Sequence, residues 1–161
     1  MKQLTILFTA LLLTTAAFAQ KTDFSGNWSF TEQSSISGKL YSNGSPKAIK
    51  ITLTATAITL EKTSAGASGD VTTSETVSLD GKPFETVTPT TKRKKVITIA
   101  WSSNSALTEI ASLYNATDPA KLDFKTTDTY TVENGELVLD RKTENFTNGE
   151  TWESKANYSK K

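Results

Sequence analysis

The chain has 161 residues with no histidine and no cysteine, and it sets 18 basic side chains against 17 acidic ones. That excludes an imidazole base near neutral pH, a thiolate nucleophile, a disulfide framework and a zinc site of nitrogen and sulfur ligands. The even charge balance argues against a surface that neutralises phosphates, so no nucleic-acid partner is expected.

The chain opens with the three parts of a secretory signal. Lys2 is the charged start, Leu4 to Leu13 form the apolar centre, and small residues end in Ala17-Phe18-Ala19 before Gln20. The alternative is a membrane anchor, but Thr5, Thr9, Thr14 and Thr15 interrupt the apolar run, which falls short of the ~20 residues a spanning helix needs. Residues 1–19 are therefore expected to be a signal peptide and residues 20–161 a single domain, periplasmic or secreted, with no integral membrane segment after cleavage. Removing the leader takes only Lys2 from the charge balance and leaves the domain neutral. A length of about 140 residues suits one core.

The domain reads as a succession of strands. Phe24, Gly26, Trp28 and Phe30 alternate with polar residues, and the same period of two recurs at Ile49-Ile51-Leu53, Ile58-Leu60 and Ile97-Ile99-Trp101. Further strands fit Thr72 to Leu79, Phe84 to Thr88, Phe124 to Val132, Glu136 to Lys142 and Thr151 to Tyr158. Asn43-Gly44, Asp80-Gly81, Asn134-Gly135 and Asn148-Gly149 are hairpin signals, because Asn, Asp and Gly accept the positive φ of tight turns. Between Asn104 and Tyr114 two spacings compete. Leu107, Ile110, Ala111 and Tyr114 fit one helix face, whereas Leu107, Glu109, Ala111 and Leu113 alternate as in a strand; the flanking hairpins favour the strand. Glu75 to Gly81 also echoes Asp128 to Gly135, which suggests two similar hairpins in one sheet. The expected fold is all-β, an antiparallel meander of about eight to ten strands closed into a lipocalin-like barrel, since closure removes exposed edges.

The residues carry a family resemblance. Asp23-Phe24-Ser25-Gly26-Asn27-Trp28 looks like the G-x-W opening of the calycin superfamily, the lipocalins and fatty-acid-binding proteins, which implies that Trp28 closes one barrel end. Thr127-Asp128-Thr129-Tyr130 is similar to the lipocalin T-D-Y element, and Arg141 lies where a basic residue would cover the Trp28 ring. Gly135 to Leu139, Asn148-Gly149 and the terminal Tyr158-Ser159-Lys160-Lys161 resemble the last two strands of fatty-acid-binding proteins. Those proteins place an arginine two residues before the tyrosine to grip a carboxylate, and this chain has Ala156 there. It also lacks their helix pair after the first strand. The general plan is similar to small exported lipocalin-like proteins of Bacteroidetes.

What the resemblance implies is a binder of a small, partly apolar molecule. The alternative is a barrel filled by its own side chains, serving as a structural or interaction module. Trp101, Trp152, Tyr130 and Phe124 are the residues expected to face a ligand, although core packing is the stronger reading for each tryptophan. Ala55, Ala57, Ala100 and Ala111 would leave space if they face inward. Asp128 and Asp140 flank a hairpin and invite comparison with a glycosidase pair, but turn capping or solvent ion pairs fit them better. Lys92-Arg93-Lys94-Lys95 reads as a solvated strand start. No catalytic residue, metal ligand or cofactor is expected, so the protein is read as a non-enzyme, and as a monomer.

Overall fold

A computed structural model describes residues 21–39 and 44–161, so the signal segment and Asn43 of the first hairpin signal lie outside the described residues. Ten antiparallel strands follow in chain order: β1 (Gly26–Ser37), β2 (Ala48–Leu53), β3 (Ala57–Gly66), β4 (Gly69–Ser78), β5 (Phe84–Val87), β6 (Lys94–Ser103), β7 (Ala106–Tyr114), β8 (Leu122–Glu133), β9 (Glu136–Asn145) and β10 (Thr151–Lys160). They form one sheet in the order β4-β3-β2-β1-β10-β9-β8-β7-β6-β5. The pairing of β1 with β10 joins the two halves of the meander, and Asp80 of the β4–β5 connection bridges Ala100 of β6, so the sheet curls into a nearly closed barrel. The ambiguous segment after Asn104 is strand β7, as the flanking hairpins implied.

Turn chemistry explains which hairpins form. Asn134 and Gly135 both take positive φ, 53° and 84°, giving the two-residue turn whose twist matches the strands, and Glu133 pairs with Glu136 across it. Asp80-Gly81 departs from the expectation, because β4 and β5 are not neighbours. The Asp80 carboxylate accepts from the Lys82 amide at 3.0 Å, and Pro83 has no amide to offer a ladder, so the chain turns toward β6 instead of folding back. The two similar segments therefore share the sheet, but only the second makes a hairpin.

The side chains that face inward are graded along the barrel. At one end they are apolar: Trp28, Ile49, Ile51, Ile58, Leu60, Val77, Ile97, Ile99, Leu107, Leu137 and Leu139 are all buried, with Phe24 beneath the first strand. Burying each such side chain contributes about 1.5–3 kcal/mol. Halfway along, the same inward parity turns polar on six strands: Lys62 and Ser64 follow Leu60 on β3, Glu75 and Thr73 precede Val77 on β4, and Lys95 precedes Ile97 on β6. Glu109 follows Leu107 on β7, Asp128 and Thr126 precede Tyr130 on β8, and Arg141 and Thr143 follow Leu139 on β9. The barrel is thus a dry plug below and a polar chamber above.

Trp28 belongs to the plug. It is 3% exposed, and its indole Nε1 donates to the Phe24 carbonyl at 2.9 Å. The cation over its ring is Lys160, whose Nζ stands 5.3 Å from the ring centroid. Arg141 does not cover it, because the charge of Asp128 holds that guanidinium inside the barrel.

Candidate functional site

The polar half of the barrel contains a cavity of about 350 Å³. Pro46, Ala111, Leu113 and Phe124 supply apolar wall, Ser64, Thr73, Thr88, Thr126 and Thr143 supply hydroxyls, and Lys62, Lys95, Glu109, Asp128 and Arg141 bring charge. These residues converge because cross-strand register puts them side by side: Glu109 lies opposite Asp128, Asp128 opposite Arg141, Ala111 opposite Thr126, and Leu113 opposite Phe124.

The floor of the cavity is a hydrogen-bonded charge network. Lys62 Nζ reaches Glu109 Oε2 at 2.5 Å and Asp128 Oδ2 at 3.6 Å. Arg141 donates Nε to Asp128 Oδ1 at 2.7 Å and Nη2 to Oδ2 at 2.6 Å, a two-point grip, while its Nη1 donates to the Gly44 carbonyl. The Tyr130 phenol donates to Glu109 at 2.7 Å. Both carboxylates are almost wholly buried, at 2% exposure each, so their charges survive only because these donors replace water. Burial alone would raise the Asp128 carboxyl, but the charges and hydrogen bonds of Arg141 and Lys62 outweigh it and hold Asp128 below the ordinary carboxylate value. Burial, then the neighbouring Glu109 and Asp128 charges, pushes the Tyr130 phenol well above its usual value.

A second ion pair spans the break in the sheet. Lys95 of β6 donates to both Glu75 oxygens of β4 at 2.8 Å, joining strands that share no continuous ladder. Toward the mouth, Arg93 meets Asp123 at 2.5 Å and donates Nε to the Tyr114 carbonyl at 2.8 Å, while Asn115 donates to Asp123 at 3.1 Å. The basic run is therefore not a uniformly solvated strand start. Alternation sends Arg93 and Lys95 into partnered inner positions and leaves Lys94 on the outside, 3.2 Å from Glu85. Asp128 likewise is not a solvent residue, and Asp140, one residue out of parity with Arg141, faces the other way.

The four residues expected to face a ligand separate. Phe124 lines the cavity. Tyr130 is buried beneath it, its hydroxyl committed to Glu109. Trp152 lies opposite Thr143 near the start of β10, half-buried and outside the cavity wall. Trp101 sits at the plugged end, where its ring centroid is 5.7 Å from that of Phe24 and the Lys21 ammonium stands 4.9 Å away. The recess of about 380 Å³ beside it is bounded by Lys21 and by turn residues such as Ala55, Thr56 and Asp80, and Asp80 pairs with the exposed Lys82 at 2.7 Å. Of the four alanines considered, Ala111 lines the cavity. Lys62 was not singled out in the sequence, and Arg141, Lys95, Glu75 and Glu109 were noted there only for other reasons: a cover for Trp28, a basic run, a repeated hairpin segment and a strand alternation. Their signal is positional: a polar residue at the same level of six inward series.

The chain matches no protein-family model and no curated protein. Among solved structures it is similar to the fatty-acid-binding protein isolated from Manduca sexta, with a TM-score of 0.50 and 16% identity over 85% of this chain and 99% of that one. It is also similar to a zebrafish ileal bile acid-binding protein complexed with cholic acid, with a TM-score of 0.47 and 14% identity over 86% and 98% of the two chains. The likeness to the Manduca sexta protein is one of fold, an all-β, ten-stranded antiparallel near-barrel.

Proposed function

We propose that this protein is a lipocalin-like binder that takes a small, partly apolar molecule into the polar half of its barrel. The observation that carries the reading is the change of inward side chains from apolar to polar at one level of six strands. It leaves a cavity of about 350 Å³, within the size range of small-molecule sites, with apolar wall and convergent polar groups. Likeness to a fatty-acid-binding protein supports the reading at the level of the fold. We read it as a binder and not a catalyst because Glu109 and Asp128 are each engaged by a cation, with the Tyr130 phenol also on Glu109. Export belongs to the same proposal, supported by the charged start, apolar centre and Ala-Phe-Ala ending of residues 1–19, in the manner of the exported bacterial proteins the sequence resembles.

The test is a cavity-filling substitution. Ala111 faces inward from β7, so Ala111→Trp should occupy the chamber, abolish the binding of an apolar fluorescent probe and leave the circular dichroism of the barrel unchanged. Wild-type protein should bind that probe with micromolar affinity, about −8 kcal/mol. Probe binding that survives Ala111→Trp, or none in the wild type, would return the protein to the reading of a filled structural barrel. Export is tested separately by N-terminal sequencing of secreted material, which should begin at Gln20.

A further inference from the structure

The charges that reach into the chamber cancel among themselves. Lys62 is matched by Glu109, Arg141 by Asp128 and Lys95 by Glu75, each pair in direct contact. Arg141 is the cation best suited to a ligand carboxylate, yet its Nε and Nη2 are held by Asp128 and its Nη1 by the Gly44 carbonyl. The position where the resemblance would place a second gripping arginine is Ala156, itself buried. An ionic ligand entering this chamber adds an unmatched charge to a balanced, largely buried network, or must dislodge a resident partner and strand it.

What the chamber does offer is hydroxyl chemistry. Thr126 and Thr143 face each other at 3.4 Å, a long contact that leaves lone pairs on both oxygens, and Ser64 and Thr73 line the same space. Beside Thr126 on the same wall are the apolar surfaces of Leu113 and Phe124. Resting on the carrier reading above, we infer that the ligand is an uncharged amphiphile with a polyhydroxylated polar end, of the kind presented by an alkyl glycoside or a glycerol monoether, and that alkyl carboxylates and alkylammonium ions are discriminated against. The discrimination comes from occupied partners: hydroxyl groups donate and accept in turn, so they join a satisfied network without displacing a charge.

Three probes with one octyl chain separate the possibilities: octyl glucoside, octanoate and octyltrimethylammonium, each titrated calorimetrically at pH 7 below its micelle-forming concentration. Amide and methyl shifts of Phe124, Thr126 and Leu113 report whether the chamber is the site. Octyl glucoside should bind at least tenfold tighter than either ion. Thr126→Val should weaken the glucoside severalfold without strengthening the ions, and Asp128→Asn, which frees Arg141, should raise octanoate affinity about tenfold. Octanoate binding as tightly as the glucoside to wild-type protein, with the chamber shifts present, overturns this inference and leaves the carrier reading standing. No shift at the chamber with any of the three overturns both.

Discussion

Asp128 and Arg141 stand directly opposite each other on β8 and β9, and the guanidinium closes on both carboxylate oxygens at 2.6 and 2.7 Å. The pair is buried, so each ion is the other's main replacement for water, and removal of either strands a charge. Asp128→Leu and Arg141→Met are each expected to cost about 3–5 kcal/mol in urea unfolding. The double variant Asp128→Leu with Arg141→Met should cost less than either single one, because no charge is then left behind. Additive losses in that cycle would show that the two side chains do not act as a pair.

The same pair sets an acid limit. Asp128 has a folded pKa below its unfolded value, so its contribution is fully present above the ordinary carboxylate value of about 3.9 and is lost as the pH falls through the lowered folded value. The stability of the wild type should therefore keep a pH slope below about pH 4 that Asp128→Asn lacks. Urea midpoints at a series of acid pH values measure the difference, and parallel curves for the two proteins would contradict it.

At the alkaline end the sign reverses. Tyr130 and Tyr158 are buried phenols, and burial holds both above the usual value of about 10. An acid whose folded pKa is raised stabilises the fold at pH below its unfolded pKa, and that stabilisation disappears as pH climbs through the folded value. Absorbance at 295 nm should show these two phenols still protonated in folded protein at pH 10–11 and ionising with unfolding. Tyr130→Phe and Tyr158→Phe, measured one at a time, assign the delayed signal, and full phenolate absorbance in still-folded protein near pH 10 would be the contrary result.

Trp28 tests the plug. Its ring is packed among buried aliphatic side chains, its indole proton is taken by Phe24, and Lys160 lies over one face. Trp28→Ala should cost about 3–5 kcal/mol as a large-to-small core change. Lys160→Ala removes only an exposed cation–π contact and should cost about 0.5–1 kcal/mol. Equal effects of the two substitutions in thermal unfolding would mean that the ring is not the keystone its burial implies.

The plug was legible in the sequence and the chamber was not, and the reason is one of pattern. Alternation is visible only while inward residues are apolar: Ile58-Leu60 announced β3, yet the strand continues through Lys62 and Ser64 to Gly66, where the inward side chains have turned polar. The same break shortened the expected ends of β4 and β9, which begin at Gly69 and finish at Asn145. Asn134-Gly135 was readable because its positive φ values are local to the turn, whereas Asp80-Gly81 misled because its outcome depends on β6, far along the chain. Phe124 was found as a lining residue on hydrophobicity alone. The charge network beside it was not legible because pairing between Lys62 and Glu109 joins residues 47 positions apart, a relationship that register creates and spacing does not display.

The pair across the break in the sheet offers the last test. β4 is laddered to β3 along its length but faces β6 on its other side mainly through Lys95 and Glu75, which are 22% and 15% exposed. A partly exposed pair of this kind contributes about 1 kcal/mol or less to global stability, so its importance is local. Lys95→Met should leave the urea midpoint nearly unchanged while amide exchange in β4 residues 70–75 speeds up severalfold relative to β2 and β3, because only the cross-gap tether has been cut. If the chamber fills through this break, probe association should quicken in the same variant with little change in equilibrium affinity. Unchanged exchange in β4 would show that its ladder to β3 alone holds it in place.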